Sequence, residues 1–362
     1  MESLVSLSTF SSEETLLEPS GGGPGGKESV RKPSVELIFI YVGTLVLLVA
    51  GLCLVNRYES DRFLPLAVTA QPAPALEFYL AYFHGGVENY VIYDNVYGAA
   101  NELKRADVLF LGNSRMLYAM RDQEALKRYF SARHLRYYTL AFAYGEGDRF
   151  PEAIIRKYDL HPKWVVVNAD PFFGAATSPL ASKVMSGGSF DVFKFRFETN
   201  LSFDVQRKLH QVLPYLGLSK WNEEPDWVYY RSKLDGTIRL AAYKGKSGSA
   251  ERSAEAAPQV PLLDQIDEGR RFHEELRARG AKLVLTSVPP SPDASANLLG
   301  SSLGVPVIDC SAKGLSTFDG SHLDAASTRQ FITTLLRGLD GIMNERSQLY
   351  ATNETAGPAA LP

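Results

Sequence analysis

The sequence predicts an α/β domain in which a parallel sheet of five strands is sandwiched between two layers of helix. Three observations predict it. Short, wholly apolar runs recur, such as Val108–Leu111 and Trp164–Val167, each closed by turn residues, as strands buried on both faces are. Segments with apolar residues at helical spacing lie between them, for example Leu262, Ile266, Phe272 and Leu276. Strands alternating with helices imply right-handed βαβ units, hence a parallel sheet covered on both sides.

At 362 residues the chain has room for one large domain or two ordinary ones. A net charge of −3 offers no basic surface for nucleic acid. Two cysteines, Cys53 and Cys310, are too few for a disulfide framework or a tetrahedral metal site. No metal or cofactor is expected.

Taken in order, residues 1–34 are rich in Ser, Glu and Gly and read as a disordered cytoplasmic tail. Residues 35–56 read as a transmembrane signal anchor. Within them Leu37–Val55 carries no charge, and at about 1.5 Å per residue it reaches roughly 28 Å, close to the thickness of a bilayer's hydrocarbon core. Lys27, Arg31 and Lys32 precede it, a small bias towards a cytoplasmic amino terminus and a domain on the far side of the membrane. Cleavage after this segment is disfavoured by the long preceding tail and the long apolar run.

Residues 57–104 are Pro-punctuated, then aromatic, and read as a juxtamembrane stalk. Residues 105–345 form the core domain. Its strands are expected at Val108–Leu111, Arg136–Phe142, Trp164–Val167, Lys282–Thr286 and Val305–Ile308. Its helices are expected at Met116–Tyr129, Pro151–Tyr158, Pro261–Ala278 and Asp324–Met343. An insertion at 171–258 breaks the rhythm. It carries a hairpin signal, Trp227–Tyr230 and Thr237–Tyr243 about Asp235-Gly236, and a charged loop at 244–257. It is expected to cap the carboxyl ends of the strands. Residues 346–362 are polar and small, as in a disordered tail.

The chemistry concentrates at Gly112-Asn113-Ser114, which ends the first strand. A serine at a strand-to-helix bend stands at the carboxyl edge of the sheet, where open α/β folds bind ligands. Its N–H opens a helix, which favours negative charge. Asn and Ser there also suit an ordinary helix cap. A serine hydroxyl needs a base to take its proton. Of the six histidines, His84 lies in the stalk, His134 and His161 precede strands, and His210 and His273 fall in helical segments. His322 alone sits in a loop between the last strand and the last helix, on the same sheet edge as Ser114. Asp319, three residues earlier, is near enough for a turn to bring its carboxylate to the ring, fixing the tautomer. Candidate oxyanion donors are the Ser114 N–H, Gly145 or Gly147 after the second strand, and the Asn168 side chain after the third.

These residues resemble the SGNH (GDSL-like) hydrolase superfamily over roughly 105–345. The first block, Gly-Asp-Ser, is matched by Gly112-Asn113-Ser114. The second-block glycine is matched by Gly145 or Gly147. The third block, Gly-x-Asn-Asp, keeps Asn168 but has Val166 and Ala169 at its other positions, and Asp319-Gly320-Ser321-His322 gives the last block in full. The resemblance implies a flavodoxin-like sheet and metal-free ester chemistry through Ser114, His322 and Asp319. The whole chain also looks like membrane-anchored proteins that add or remove acyl groups on exported polysaccharides. In several of those proteins the Asp-His pair precedes the serine, whereas here it follows.

The expectation is therefore a single-pass inner-membrane protein with a periplasmic esterase or O-acyltransferase domain. It would act on an acylated carbohydrate or another small acyl ester, with membrane proteins of a polysaccharide pathway as candidate partners. The alternative is a catalytically silent glycan-binding or scaffold protein. A nucleotide-binding reading ranks below both, because no G-x-G-x-x-G follows a strand and the Gly112 loop lacks a phosphate-binding lysine.

Overall fold

A computed structural model describes residues 39–48, 50–51, 77–81, 87–142, 146–174, 177–194, 197, 227–243, 248–249, 262–290 and 293–355. Two units separate, residues 1–52 and 53–362. In the first, the described residues between 39 and 51 are helical. Phe39, Ile40, Tyr41, Leu45 and Leu47 on this helix are each more than half exposed. Among the described residues no helix is long and apolar enough to cross a membrane. Residues 35–38, 49 and 52–56 of the expected anchor lie outside the described residues, as do both expected disordered tails except for 346–355, which are helical.

The second unit runs β1 (Phe78–Leu80), α1 (Val87–Tyr93), α2 (Ala99–Leu103), β2 (Val108–Gly112), α3 (Ser114–Ala119), α4 (Gln123–Ser131), β3 (Tyr137–Ala141), α5 (Arg149–Lys157) and β4 (Trp164–Asn168). It continues with α6 (Pro179–Ser186), β5 (Trp227–Ser232), β6 (Ile238–Tyr243), β7 (Gly248–Ser249), α7 (Leu262–Ala278), β8 (Lys282–Thr286), α8 (Asp293–Leu303), β9 (Val307–Ile308), β10 (Ser316–Thr317) and α9 (Ala325–Thr355).

The apolar runs form a five-stranded parallel sheet in the order β3-β2-β4-β8-β9. Counted along the chain this is 2-1-3-4-5, the flavodoxin-like order, with the strand order reversing between β2 and β4. Both faces are covered, which is why the strands read as continuous apolar runs. Val108, Phe110, Val166 and Val284 pack with Met116, Leu126 and Phe130 of α3 and α4 and with Phe331, Leu335 and Leu339 of α9. Leu109, Leu111, Val165 and Leu285 pack with Ile154 of α5, Phe272 and Leu276 of α7 and Leu299 of α8. The three-layer sandwich is thus two apolar cores, one on each face. Truncating a fully buried side chain such as Phe110 would cost about 3–5 kcal/mol.

Three expectations are corrected. The segment Met116–Tyr129 is two helices, because the Asp122 carboxylate accepts the Ala125 N–H and starts α4 afresh. The fifth strand is two residues long rather than four, since β9 meets β8 only at Val307 and Ile308. The described hairpin of the insertion lies beside the sheet edge. Strands β1, β5 and β6 form a separate antiparallel sheet, and the Asp235 carbonyl accepts the N–H of Thr139 on edge strand β3 at 2.8 Å. Arg231 clamps this junction. Fully buried, it donates to the Thr139 carbonyl at 2.6 Å, to Gly236 O at 3.1 Å and to Glu88 at 2.9 Å. An edge strand presents unpaired backbone groups, and the hairpin satisfies some of them here. Most of the rest of the insertion, 198–226 and 250–258, lies outside the described residues. Its described pair Gly248–Ser249 crosses to Ser316–Thr317, just upstream of Asp319.

Candidate active site

Strand β2 ends at Gly112, whose φ is +150° and where any side chain would meet Asn168 and Met116. A Cβ there would stand 2.9 Å from the Cβ atoms of both. Only glycine lets the chain leave the sheet this tightly. Asn113 then caps α3, its Oδ1 accepting the Arg115 N–H at 3.0 Å. Ser114 becomes the first helical residue, half-buried, with an N–H that has no acceptor within the helix.

His322 and Asp319 arrive from the loop between β10 and α9. Gly320, with φ +86°, turns the chain between them. The Asp319 Oδ1 accepts the N–H of Ser321 at 2.9 Å and of His322 at 2.7 Å. Its Oδ2 lies 2.6 Å from His322 Nδ1, and His322 Nε2 lies 3.0 Å from Ser114 Oγ. Residues 208 apart in sequence are therefore within hydrogen-bond reach. Asp319 and His322 are each about one-tenth exposed at the side chain. Burial works to raise the Asp319 carboxyl, but the His322 ring and the two backbone N–H donors outweigh it and hold it below the ordinary carboxylate value. An ionised carboxylate at Nδ1 favours the tautomer whose Nε2 lone pair can accept the serine proton.

Aromatic rings hold the imidazole in place. Tyr118 lies 4.4 Å from it between ring centroids, and Phe318 stacks at 5.8 Å with 26° between planes. Sequence reading missed both. Tyr118 had a signal, since it lies four residues after Ser114 and so on the same helix face. Phe318 had a weaker one, as the neighbour of Asp319.

Asn168 stands at the carboxyl end of β4. Fully buried, it accepts the Val288 N–H at 3.0 Å. Its amide donates to Asn113 Oδ1 at 3.2 Å and to the Asp170 carbonyl at 3.4 Å. The Asn113 amide also donates to that carbonyl, and Arg115 pairs with the Asp170 carboxylate. The strand-end segment Asn168–Asp170 thus braces the serine turn, a role that sequence reading did not assign to Asp170. Gly145 lies outside the described residues; Gly147 is buried. His134 and His161 stand at the other end of the sheet, before β3 and β4. Among the described residues no group of His, Cys, Asp and Glu could hold a metal ion.

No family profile and no curated protein matches the chain. One solved structure similar to it is a GDSL-like lipase from Bacteroides thetaiotaomicron. It is 11% identical, with a TM-score of 0.33, over 70% of this chain and 99% of that one. So loose a likeness carries no argument about chemistry, and the site rests on its own geometry.

Proposed function

We propose that this protein is an SGNH-type serine esterase or O-acyltransferase that works through an acyl-enzyme. The observation that carries the reading is the line from Ser114 Oγ through His322 to Asp319, with spacings of 3.0 and 2.6 Å. Ser114 Oγ attacks the ester carbonyl while its proton passes to His322 Nε2. Asp319 stabilises the imidazolium, which then protonates the departing alkoxide. Water or a sugar hydroxyl, deprotonated by the same imidazole, attacks the acyl-serine and releases the acid or the new ester. The Ser114 N–H faces the developing oxyanion. The Asn168 amide and the backbone of Gly145 or Gly147 are the candidate further donors.

The substrate class is an acylated cell-surface or exported glycan. The protein is held in the inner membrane by residues 35–56, with its amino terminus cytoplasmic and its main domain periplasmic. The feature behind the anchor is the uncharged run Leu37–Val55. Partner proteins of a polysaccharide pathway would share that membrane.

The test is hydrolysis of p-nitrophenyl acetate by the detergent-solubilised full chain. Ser114→Ala and His322→Ala are each expected to lower turnover about a thousandfold or more. Unchanged turnover in both rejects the assignment. The engaged Asn168 amide favours one second reading, a silent glycan-binding scaffold. Glycan binding by a wild-type protein that hydrolyses no ester would select it.

A further inference from the structure

A groove of about 510 Å³ opens between the α3–α4 turn, strand β6 and the first turn of α9. That is within the range of roughly 300–1,000 Å³ usual for small-molecule sites. Among the described residues three guanidinium groups line it, Arg121, Arg239 and Arg329, against one carboxylate, Asp122, which is occupied as the cap of α4. Arg329 makes no ion pair among the described residues. Among the described residues Arg239 has no carboxylate partner either. It lies over the Phe78 ring at 4.4 Å and reaches the neutral Gln123 at 3.5 Å. Thr328, also in the lining, has a buried hydroxyl with no partner among the described residues.

The groove adjoins the candidate active site through Arg121. This residue donates to the carbonyl of Leu323, next to His322, at 2.8 Å. It also lies over Phe318 at 5.2 Å, and Phe318 stacks on the His322 ring. One aromatic ring thus separates the groove's cation from the candidate base. Burial draws the Arg121 guanidinium below its ordinary pKa, with Asp324, Tyr118 and Asp319 opposing the shift. Nearby carboxylates other than Asp122 are already engaged: Asp324 by Ser316 and Ser327, Asp319 by His322.

We propose that this groove is a subsite for an oxyanion carried by the glycan substrate, so that the preferred substrate is an acidic saccharide. The inference rests on the ester-chemistry reading for its proximity to Ser114, but its binding test does not. Guanidinium groups pair with carboxylate, sulfate or phosphate through planar, charge-assisted hydrogen bonds. Two or three such groups on one side of a groove favour a charged sugar over a neutral one, and the contact weakens with salt.

The experiment is calorimetric titration of the full chain in detergent with trigalacturonate, galactotriose and inorganic phosphate. Trigalacturonate is expected to bind with salt-dependent affinity, while galactotriose and phosphate bind at least about tenfold more weakly. Arg239→Gln and Arg329→Gln change exposed side chains and should fold normally. Each is expected to weaken trigalacturonate binding about tenfold. Ser114→Ala should bind it as the wild type does. Equal binding of the two trisaccharides, no binding of trigalacturonate, or unchanged affinity in both Gln variants overturns the proposal. Phosphate binding as tightly as trigalacturonate also overturns it, because the saccharide would then contribute nothing. Fluorophosphonate labelling of Ser114 in Arg329→Gln separates the two readings: a labelled variant with lost binding keeps the groove, and an unlabelled wild type that still binds keeps the groove without the ester chemistry.

Discussion

Asp319 has four acceptor directions and uses three of them within its own loop, two on backbone N–H groups and one on the imidazole. Its carboxylate is therefore both a turn former and the orienting partner of His322. Asp319→Asn keeps the acceptor for the backbone but removes the charge beside the ring, so turnover should fall by about three to four orders of magnitude with the fold intact. The pH dependence follows from the direction of its shift. The folded pKa lies below the unfolded one, so the charge stabilises the protein fully above about pH 4, and that contribution is lost as pH falls through the folded value. Thermal midpoints of wild type and Asp319→Asn should differ at neutral pH and converge as the pH falls below about 4. At this scale the sequence made Ser114, His322 and Asp319 visible because their residue types are scarce and their spacing is local or tied to strand ends. Asn168 was visible as a residue but not in its contacts. Whether a buried amide faces a ligand or a neighbouring asparagine depends on backbone positions 55 residues away.

The element that positions the serine is the turn from β2 into α3. Gly112→Ala places a methyl 2.9 Å from both Asn168 and Met116 at a φ that side chains rarely adopt. The substitution should destabilise the protein by about 1–3 kcal/mol and displace Asn113, lowering esterase turnover as well. Urea unfolding and hydrolysis rates on the same preparation check both effects. The long apolar strands were legible because burial on both faces leaves no other reading. The break at Met120–Asp122 was not, since Leu126 and Tyr129 continue the helical spacing of Leu117 and Met120 across it. Helix α8 was likewise missed: its sequence, rich in Ala and Ser, has little amphipathic contrast. Strand β1 is three residues long and depends for its pairing on a hairpin about 150 residues away, which local pattern cannot reveal.

For the whole molecule, the strand order explains why two distant segments meet. In a 2-1-3-4-5 sheet the order reverses beside the first strand, and the loops at its carboxyl edge leave a crevice there. Ser114 follows that strand directly, and α9, which carries the His322 loop at its start, packs on the same face as α3. The alternation of strand and helix was enough to predict a parallel sheet and which sheet edge the candidate residues share. The position of the insertion hairpin beside β3 was not, because it depends on buried Arg231 and Glu88 finding each other across 143 residues. The anchor proposed for residues 35–56 has its own outcome at this scale. The full chain should stay with membranes after carbonate extraction, and a chain lacking residues 1–56 should be released. Release of the full chain would contradict the anchor and leave the site untouched.

Covalent modification of the full chain by a fluorophosphonate at pH 7.5, located by peptide mass spectrometry, tests whether His322 activates Ser114. A serine activated by a neighbouring imidazole should be labelled at Ser114 in the wild type and lose nearly all labelling in His322→Ala. No label on Ser114, or equal labelling with and without His322, would contradict the account.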